Sequence, residues 1–360
     1  MKLQATLEAD LQFSLARLHI GQKDGQDFSQ ISFPEQGTMN NDCESTTITD
    51  RCVDIMLLIN DEACCIHLEK EQDTWSGTLR MDKAGLNFAF TPVQCSDVPG
   101  FMPAHSEIPE RNRSWLRAHS DYSDTPCPGC LEFELGDAQV LAALAERGIH
   151  APGAHTFAAA CDVMRQISTR YHHDGINYTH DRVNRGTIAQ MRHAEAQESY
   201  TNCRGMAIIL AGALRAFGFR AGYVECRHSA DDPELHVVCE VYAEDLGRFI
   251  LLDPSHNLYY ALDGAPLSLF ELRQAICAGK EDAITINSDS SHNGETETPL
   301  VLLAYMSKNL AYLCRCIRSD EASEMTADNT LALCPRDLLA EEYPPMSRHT
   351  CSIREFYSVR

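Results

Sequence analysis

Basic side chains are scarce in this chain. Lys and Arg number 30 in 360 residues against 52 Asp and Glu, a formal net charge of −22. A surface of that sign repels phosphate backbones and anionic lipid headgroups, which excludes nucleic-acid and membrane-surface partners and favours solubility or a basic partner. Long apolar runs are missing too, since no stretch approaches the ~20 residues that a bilayer span requires. Met1 to Phe13 alternate apolar and charged residues with no apolar core, so no secretory signal is expected. Sixteen cysteines without such a signal imply reduced thiols and a cytoplasmic location, not a disulfide framework. Internal repeats and low-complexity tracts are absent. The length allows two or three domains with a full core.

A second cysteine pair at metal-ligand spacing is also lacking. Cys127-Pro128-Gly129-Cys130 is one C-x-x-C knuckle, but Cys64-Cys65 and Cys314-Arg315-Cys316 have the wrong spacing for its partner. A structural zinc site needs two such pairs, or one pair with spaced histidines. No strand–helix context makes the knuckle a redox pair, so it reads as a turn with two incidental thiols. No metal and no cofactor is expected.

What is present is a cysteine, a histidine and an aspartate, each at the boundary of a predicted element. Asn202-Cys203-Arg204-Gly205-Met206-Ala207 opens a segment with apolar residues at Met206, Leu210, Ala213, Leu214 and Phe217. That is helical spacing, with Gly218 as the stop. Cys203 therefore lies in or just before a first helical turn, where unpaired N–H groups and the helix dipole favour an anion. Gly205 would allow close approach of substrate or another backbone. Phe219–Glu225, Leu235–Tyr242 and Arg248–Leu252 then read as strands, joined by the polar stretch Arg227 to Glu234 and by Ala243 to Gly247. His236 opens the second strand, 33 residues after Cys203, and Asp253 follows the third, 17 residues later. In an antiparallel hairpin these ends are neighbours, so Asp253 can reach the imidazole. A thiol needs a base to become a nucleophile near neutral pH, and the base needs a third group to fix its tautomer. Pro254 stops the strand. Cys226 and Cys239 read as strand residues; Cys239, an odd number of positions from His236, faces the other side of the sheet. His228 and His256 read as solvated loop histidines.

The stretch from Thr156 to Asp253 resembles the core of the transglutaminase-like superfamily, relatives of papain-type cysteine proteases. The resemblance rests on Cys203 at its helix start, the helix end from Leu210 to Phe219, the strand residue His236 and Asp253-Pro254. Asn202 to Ala207, His236-Val237-Val238-Cys239-Glu240-Val241-Tyr242 and Leu251 to Asn257 are similar to a set of bacterial transglutaminase-like proteins. Segments 266–273 and 305–310 extend the likeness to about half the chain. It implies a Cys203–His236–Asp253 catalytic triad and a thioester acyl-enzyme. The usual aromatic residue after the histidine is replaced by Val237, and no Ca²⁺-loop pattern is recognisable. A side chain completing the oxyanion hole could be Gln190, Gln197 or Tyr200.

The fold class expected is α+β: a papain-like core with the catalytic helix on an antiparallel sheet, preceded by a β-rich domain. Residues 1–105, with strands at Leu11–Leu15, Val53–Ile59, Ala63–Glu69, Trp75–Met81 and Leu86–Thr91, suggest an antiparallel module such as a sandwich. Residues 106–150 read as a linker (Pro99 to Pro128 is Pro-, Ser- and Arg-rich) and a short helix, Asp137 to Arg147. Residues 151–285 would form the catalytic core, with a helix from Thr156 to His172 under the Cys203 helix and a capping box at Ser268–Glu271. Residues 286–360 would supply a flexible loop (Asn287 to Thr298) and then strands at Leu300–Met306, Leu310–Ile317 and Leu331–Leu333 that pack on the core. The expected activity is hydrolysis of a peptide or amide bond, with an amine-accepting acyltransferase as the alternative. A catalytically silent peptide-binding scaffold is the reading from a different class. The substrate would be a peptide, protein, amide or thioester, and the oligomeric state is left open.

Overall fold

The computed structural model describes residues 2–10, 15–33, 38–59, 62–72, 74–81, 84–92, 110–125, 128–175, 186–228, 235–296, 299–339 and 348–360. The architecture is α+β, with two large and mostly antiparallel sheets and, among the described residues, eight helices. The chain divides into two compact units, Met1–Ile108 with Leu300–Tyr305, and Pro109–Pro299 with Met306–Arg360.

The first unit is a meander of nine strands: β1 (Lys2–Asp10), β2 (Leu15–Lys23), β3 (Gln26–Phe33), β4 (Thr38–Asp42), β5 (Ser45–Ile48), β6 (Cys52–Ile59), β7 (Glu62–Glu71), β8 (Thr74–Met81) and β9 (Ala84–Pro92). Asp24 and Gly25, at φ +55° and +81°, form the left-handed pair that lets β2 turn into β3 within two residues. The sheet order runs from β4 through β1 and β9 to β5. β4 and β5 are consecutive in the chain and both lie along β3. Gln30 pairs with Asp42, Ser29 Oγ meets Thr46 Oγ1 at 2.6 Å, and the Ile48 N–H donates to Asp27 Oδ2 at 2.9 Å. The two ends of the sheet thus meet through side-chain bonds between β3 and β5, with no strand ladder between them among the described residues. The core of this unit holds Leu18, Ile20, Ile31, Ile55, Ile66 and Leu68, among others. Of the expected strand Leu11–Leu15, residues 11–14 lie outside the described residues.

The second unit begins with α1 (Glu110–Ala118), α2 (Ala138–Glu146), α3 (Phe157–Arg170), α4 (Thr187–Ala196) and α5 (Cys203–Ala216). There follow β10 (Ala221–Arg227), β11 (Leu235–Ala243), β12 (Arg248–Leu252), α6 (Leu269–Cys277), α7 (Pro299–Lys308, of which Leu300–Tyr305 belong to the first unit), β13 (Tyr312–Cys316), β14 (Thr330–Leu333), β15 (Arg348–Thr350) and α8 (Ile353–Phe356). The sheet order is β12-β11-β10-β13-β14-β15, antiparallel except for the last pair. Local signals set the helix ends. Asp137 accepts from Gln139 N and Val140 N, Thr156 caps α3, and Ser268 and Glu271 form the reciprocal box that starts α6.

Helix α5 is the core of this unit. From Gly205 to Ala216 it is buried, covered by α3 through Val163, Met164 and Ile167 and by the sheet through Cys239, Val241 and Leu252. Helix α4 approaches closely because a Cβ on Gly212 would overlap the Thr187 hydroxyl.

Two expectations fail. Leu300–Met306 is helical, inside α7, not a strand: Pro299 sits at the first helical position, where its missing N–H costs nothing, and a short apolar run carries no period of its own. The polar run from Asn287 holds a hairpin, Ser291–His292 against Glu295–Thr296, turned by Asn293 and Gly294 at φ +50° and +90°. Residues 297–298 of that run, 229–234 of the β10–β11 connection, and 93–109 and 126–127 of the proline-rich stretch lie outside the described residues.

Candidate active site

Cys203 is the first residue of α5. Asn202 caps the helix by accepting the Gly205 N–H at 2.9 Å, which leaves the first-turn amides gathered around the thiol. The preceding residues, Tyr200–Thr201, pair in parallel with His172–His173 at the end of α3, so the chain enters the helix from a fixed direction. The neighbour of Gly205 is the Thr201 side chain, which a Cβ there would strike.

His236 is the second residue of β11 and stands opposite Cys226 of β10. β12 ends its pairing at Leu252 opposite Cys239, so β11 overhangs and Asp253 turns under it. His236 Nε2 donates to Asp253 Oδ2 at 2.7 Å, with both side chains 2% exposed. The other carboxylate oxygen accepts the Ser255 N–H at 3.0 Å, and the turn is closed by bonds between Asp253 and Leu258. Ser168 of α3 holds the Pro254 carbonyl at 2.7 Å. Besides Asp253, His236 has the Cys203 side chain as a hydrogen-bond partner.

The electrostatics follow from this burial. Desolvation would strip the proton from His236, but the Asp253 charge, the bond to it and the bond to Cys203 outweigh it and raise the imidazole to about 10. For Asp253 desolvation acts upward, and the His236 charge and bond, with His256 and His173 beyond, hold it well below the usual carboxylate range. An imidazolium–carboxylate pair beside a thiol is a proton donor, an orienting group and a candidate nucleophile in one line.

The three residues singled out from the sequence are thus brought together. Of the candidate oxyanion side chains, Gln190 is buried against Gly205, whereas Gln197 is exposed at the end of α4 and Tyr200 is 41% exposed beside the His172 ring. Cys226 and Cys239 are buried strand residues whose thiols burial pushes up, and Cys239 packs under α5, away from His236. Cys127 lies outside the described residues; Cys130 is buried and its thiol donates to the Glu355 carbonyl at 3.1 Å.

His256 and His228 are half-buried rather than fully solvated. His228 lies tilted against Trp115 with ring centroids 4.7 Å apart. His256 belongs to a cluster that sequence reasoning missed. Its ring lies 5.0 Å from His292, 5.9 Å from His173 and 6.1 Å from His236. Asn293 bonds both the N–H and the carbonyl of His173, at 2.8 and 2.9 Å, and so docks the small hairpin that carries His292. His173 Nδ1 and His292 Nε2 are 3.1 Å apart, and burial first, then the neighbouring imidazoles, hold His173 down at about 3. A different neglected group flanks Cys203 on the helix side, where buried Glu225 binds Arg204 at 2.7 Å and Arg227 at 2.9 Å.

No family model matches this chain, and no curated protein matches it. Among solved structures, one match is a candidate cysteine protease from Cytophaga hutchinsonii, 14% identical, covering 63% of this chain and 71% of that one with a TM-score of 0.25. No helix among the described residues is long and apolar enough to cross a membrane.

Proposed function

We propose that the protein is a thiol-dependent acyl-transfer enzyme with a transglutaminase-like core, and that it hydrolyses a peptide or amide bond. The observation that carries this reading is the line from Cys203, at the first position of α5, through His236 to buried Asp253 at 2.7 Å. Cys203 sulfur attacks the carbonyl carbon, and first-turn amides face the oxyanion that develops. As the tetrahedral intermediate collapses, His236 gives its proton to the departing amine, leaving a thioester on Cys203. Water then attacks the thioester, His236 takes its proton, and the acid leaves as the thiol is restored. Asp253 orients the ring and stabilises its charged form without itself being protonated.

The test is intact-mass detection of an acyl adduct on Cys203 after exposure to a peptide library, followed by turnover in H₂¹⁸O. Hydrolysis places one ¹⁸O in each product acid. If millimolar primary amine instead diverts the products to new amides, the acceptor is an amine and the enzyme is a transferase. Absence of any adduct, with Cys203 no more reactive than the other thiols, would leave only the peptide-binding scaffold.

A further inference from the structure

The catalytic pair does not stand alone: His236, Asp253 and His256 each place one nitrogen or oxygen donor within 4.8 Å of the others. Two of these donors are fixed by the fold. Asp253 is clamped by its own turn, and His236 is held at the overhanging end of β11. His256 is half-buried on the same turn, stacked on His292, which the Asn293 latch presses against His173. Around a tetrahedral Zn²⁺ with ligand bonds of about 2.0–2.1 Å, donor atoms stand about 3.3 Å apart, so the set forms when His236 Nε2 and Asp253 Oδ2 part from 2.7 Å and the half-buried His256 moves inward. Imidazole and carboxylate together suit zinc and its first-row neighbours and not the hard cations, which take oxygen alone.

We propose that His236, Asp253 and His256 form an inhibitory site for a single divalent transition metal ion of the zinc type. The inference rests on the reading of His236 as the base of Cys203. The metal takes the Nε2 electron pair of His236, the proton there leaves to solvent, and Asp253 exchanges its hydrogen bond for a metal bond. An imidazole metallated at Nε2 keeps its hydrogen on Nδ1. It then has no lone pair with which to take the proton of the thiol or of the attacking water. Binding and acyl transfer are mutually exclusive at this histidine. His292 and His173 lie behind His256 and orient its ring, as outer-shell groups do at metal sites.

Co²⁺ is the probe, because its visible spectrum reports ligand type. The Cys203→Ala chain, which lacks the nucleophile but keeps all three donors, should take up one tightly bound Co²⁺ per chain with no thiolate-to-metal charge-transfer band. His256→Gln should weaken uptake at least about tenfold, and His256→Asp, which restores an oxygen donor, should recover it. In the wild-type chain, micromolar Zn²⁺ should slow alkylation of Cys203, and chelator should reverse the effect. The proposal is overturned if Cys203→Ala takes up no Co²⁺, if the bound ion carries a thiolate band, or if His256→Gln binds as tightly as its parent. Loss of metal binding with Cys203 still reactive defeats this inference alone. Metal bound to a chain whose Cys203 forms no acyl adduct defeats the functional reading instead.

Discussion

One strand, β11, carries two buried ion pairs four residues apart on the same face, and they are built for opposite ends. Glu240 meets Arg315 at 3.3 Å, and the guanidinium is enclosed by Phe249, Phe356 and Tyr357 at 4.7, 5.0 and 5.8 Å. The same carboxylate accepts the Leu269 N–H at the start of α6 and the Tyr357 hydroxyl, at 2.9 and 3.1 Å. Burial still raises its pKa, with Arg315 and these donors pulling the other way. His236 and Asp253 are as deeply buried, yet one end of the pair is a thiol and the other a set of imidazoles. A buried charge ringed by aromatics and helix amides is locked; one ringed by groups that exchange protons can work. The contrast teaches that burial alone does not mark a site, and that the identity of the outermost partner does.

The largest effect that would break the comparison is loss of the proposed nucleophile. Cys203→Ala should abolish turnover while leaving the thermal midpoint in place, measured by product release and calorimetry side by side. Asp253→Asn should keep the fold and cut the rate by about 10²–10⁴, as orienting residues of other triads do. Arg315→Ala should act in the reverse manner. It strands Glu240 in a buried site and should cost about 3–5 kcal/mol of stability, read by denaturant unfolding, whereas Arg315→Met together with Glu240→Gln should recover much of it.

The pH dependence sharpens the same contrast. His236 is raised above its ordinary 6.5 to about 10, so the stability it contributes is present in full below about 6.5 and is lost as pH rises through about 10. Asp253 is lowered, so its contribution is present above its ordinary 3.8 and is lost as pH falls below that value. The rate of acyl-enzyme formation, which needs imidazolium, should fall on the alkaline side near pH 10. Asp253→Asn should bring that limb toward neutrality, and an unchanged limb would detach Asp253 from the base. The smallest effect is in labelling: limiting iodoacetamide with peptide mapping should modify Cys203 ahead of Cys226 and Cys277, whose thiols burial pushes up. Exposed Cys65 serves as the unhindered reference.

The candidate site could be proposed from the sequence because its members sit at element boundaries with local signals. Asn202, Gly218 and the Asp253-Pro254 step are punctuation that depends on a few neighbouring residues, and the β10–β12 strands have clear ends. The same holds for Asp137, Thr156 and Ser268. The histidine cluster was not legible, since His173, His256 and His292 come from three separate segments and obey no common spacing. The Asn293 latch, the Ser291 N–H bond to the His256 carbonyl and the parallel Tyr200–Thr201 pairing help to bring them together. The approach of β5 to β3 escaped for a related reason: it depends on the summed course of the whole sheet, while each hairpin reports only its own register. Helix α7 escaped because four to ten apolar residues without alternation fit either period.

The pairing of β10 with β13 joins Val224 to Arg315, and its consequence is one of timing. During synthesis the His236 hairpin, which ends at Ala243, emerges about seventy residues before the strand that must lie beside β10, which begins at Tyr312. Until then β10 is an apolar strand with one unsatisfied edge, open to the wrong partner. The nine-stranded sheet, whose last strand ends at Pro92, is spared that interval. A ribosome that pauses between residues 253 and 312 would therefore hold out a nascent chain in which Cys203, His236 and Asp253 have all emerged and the sheet is incomplete.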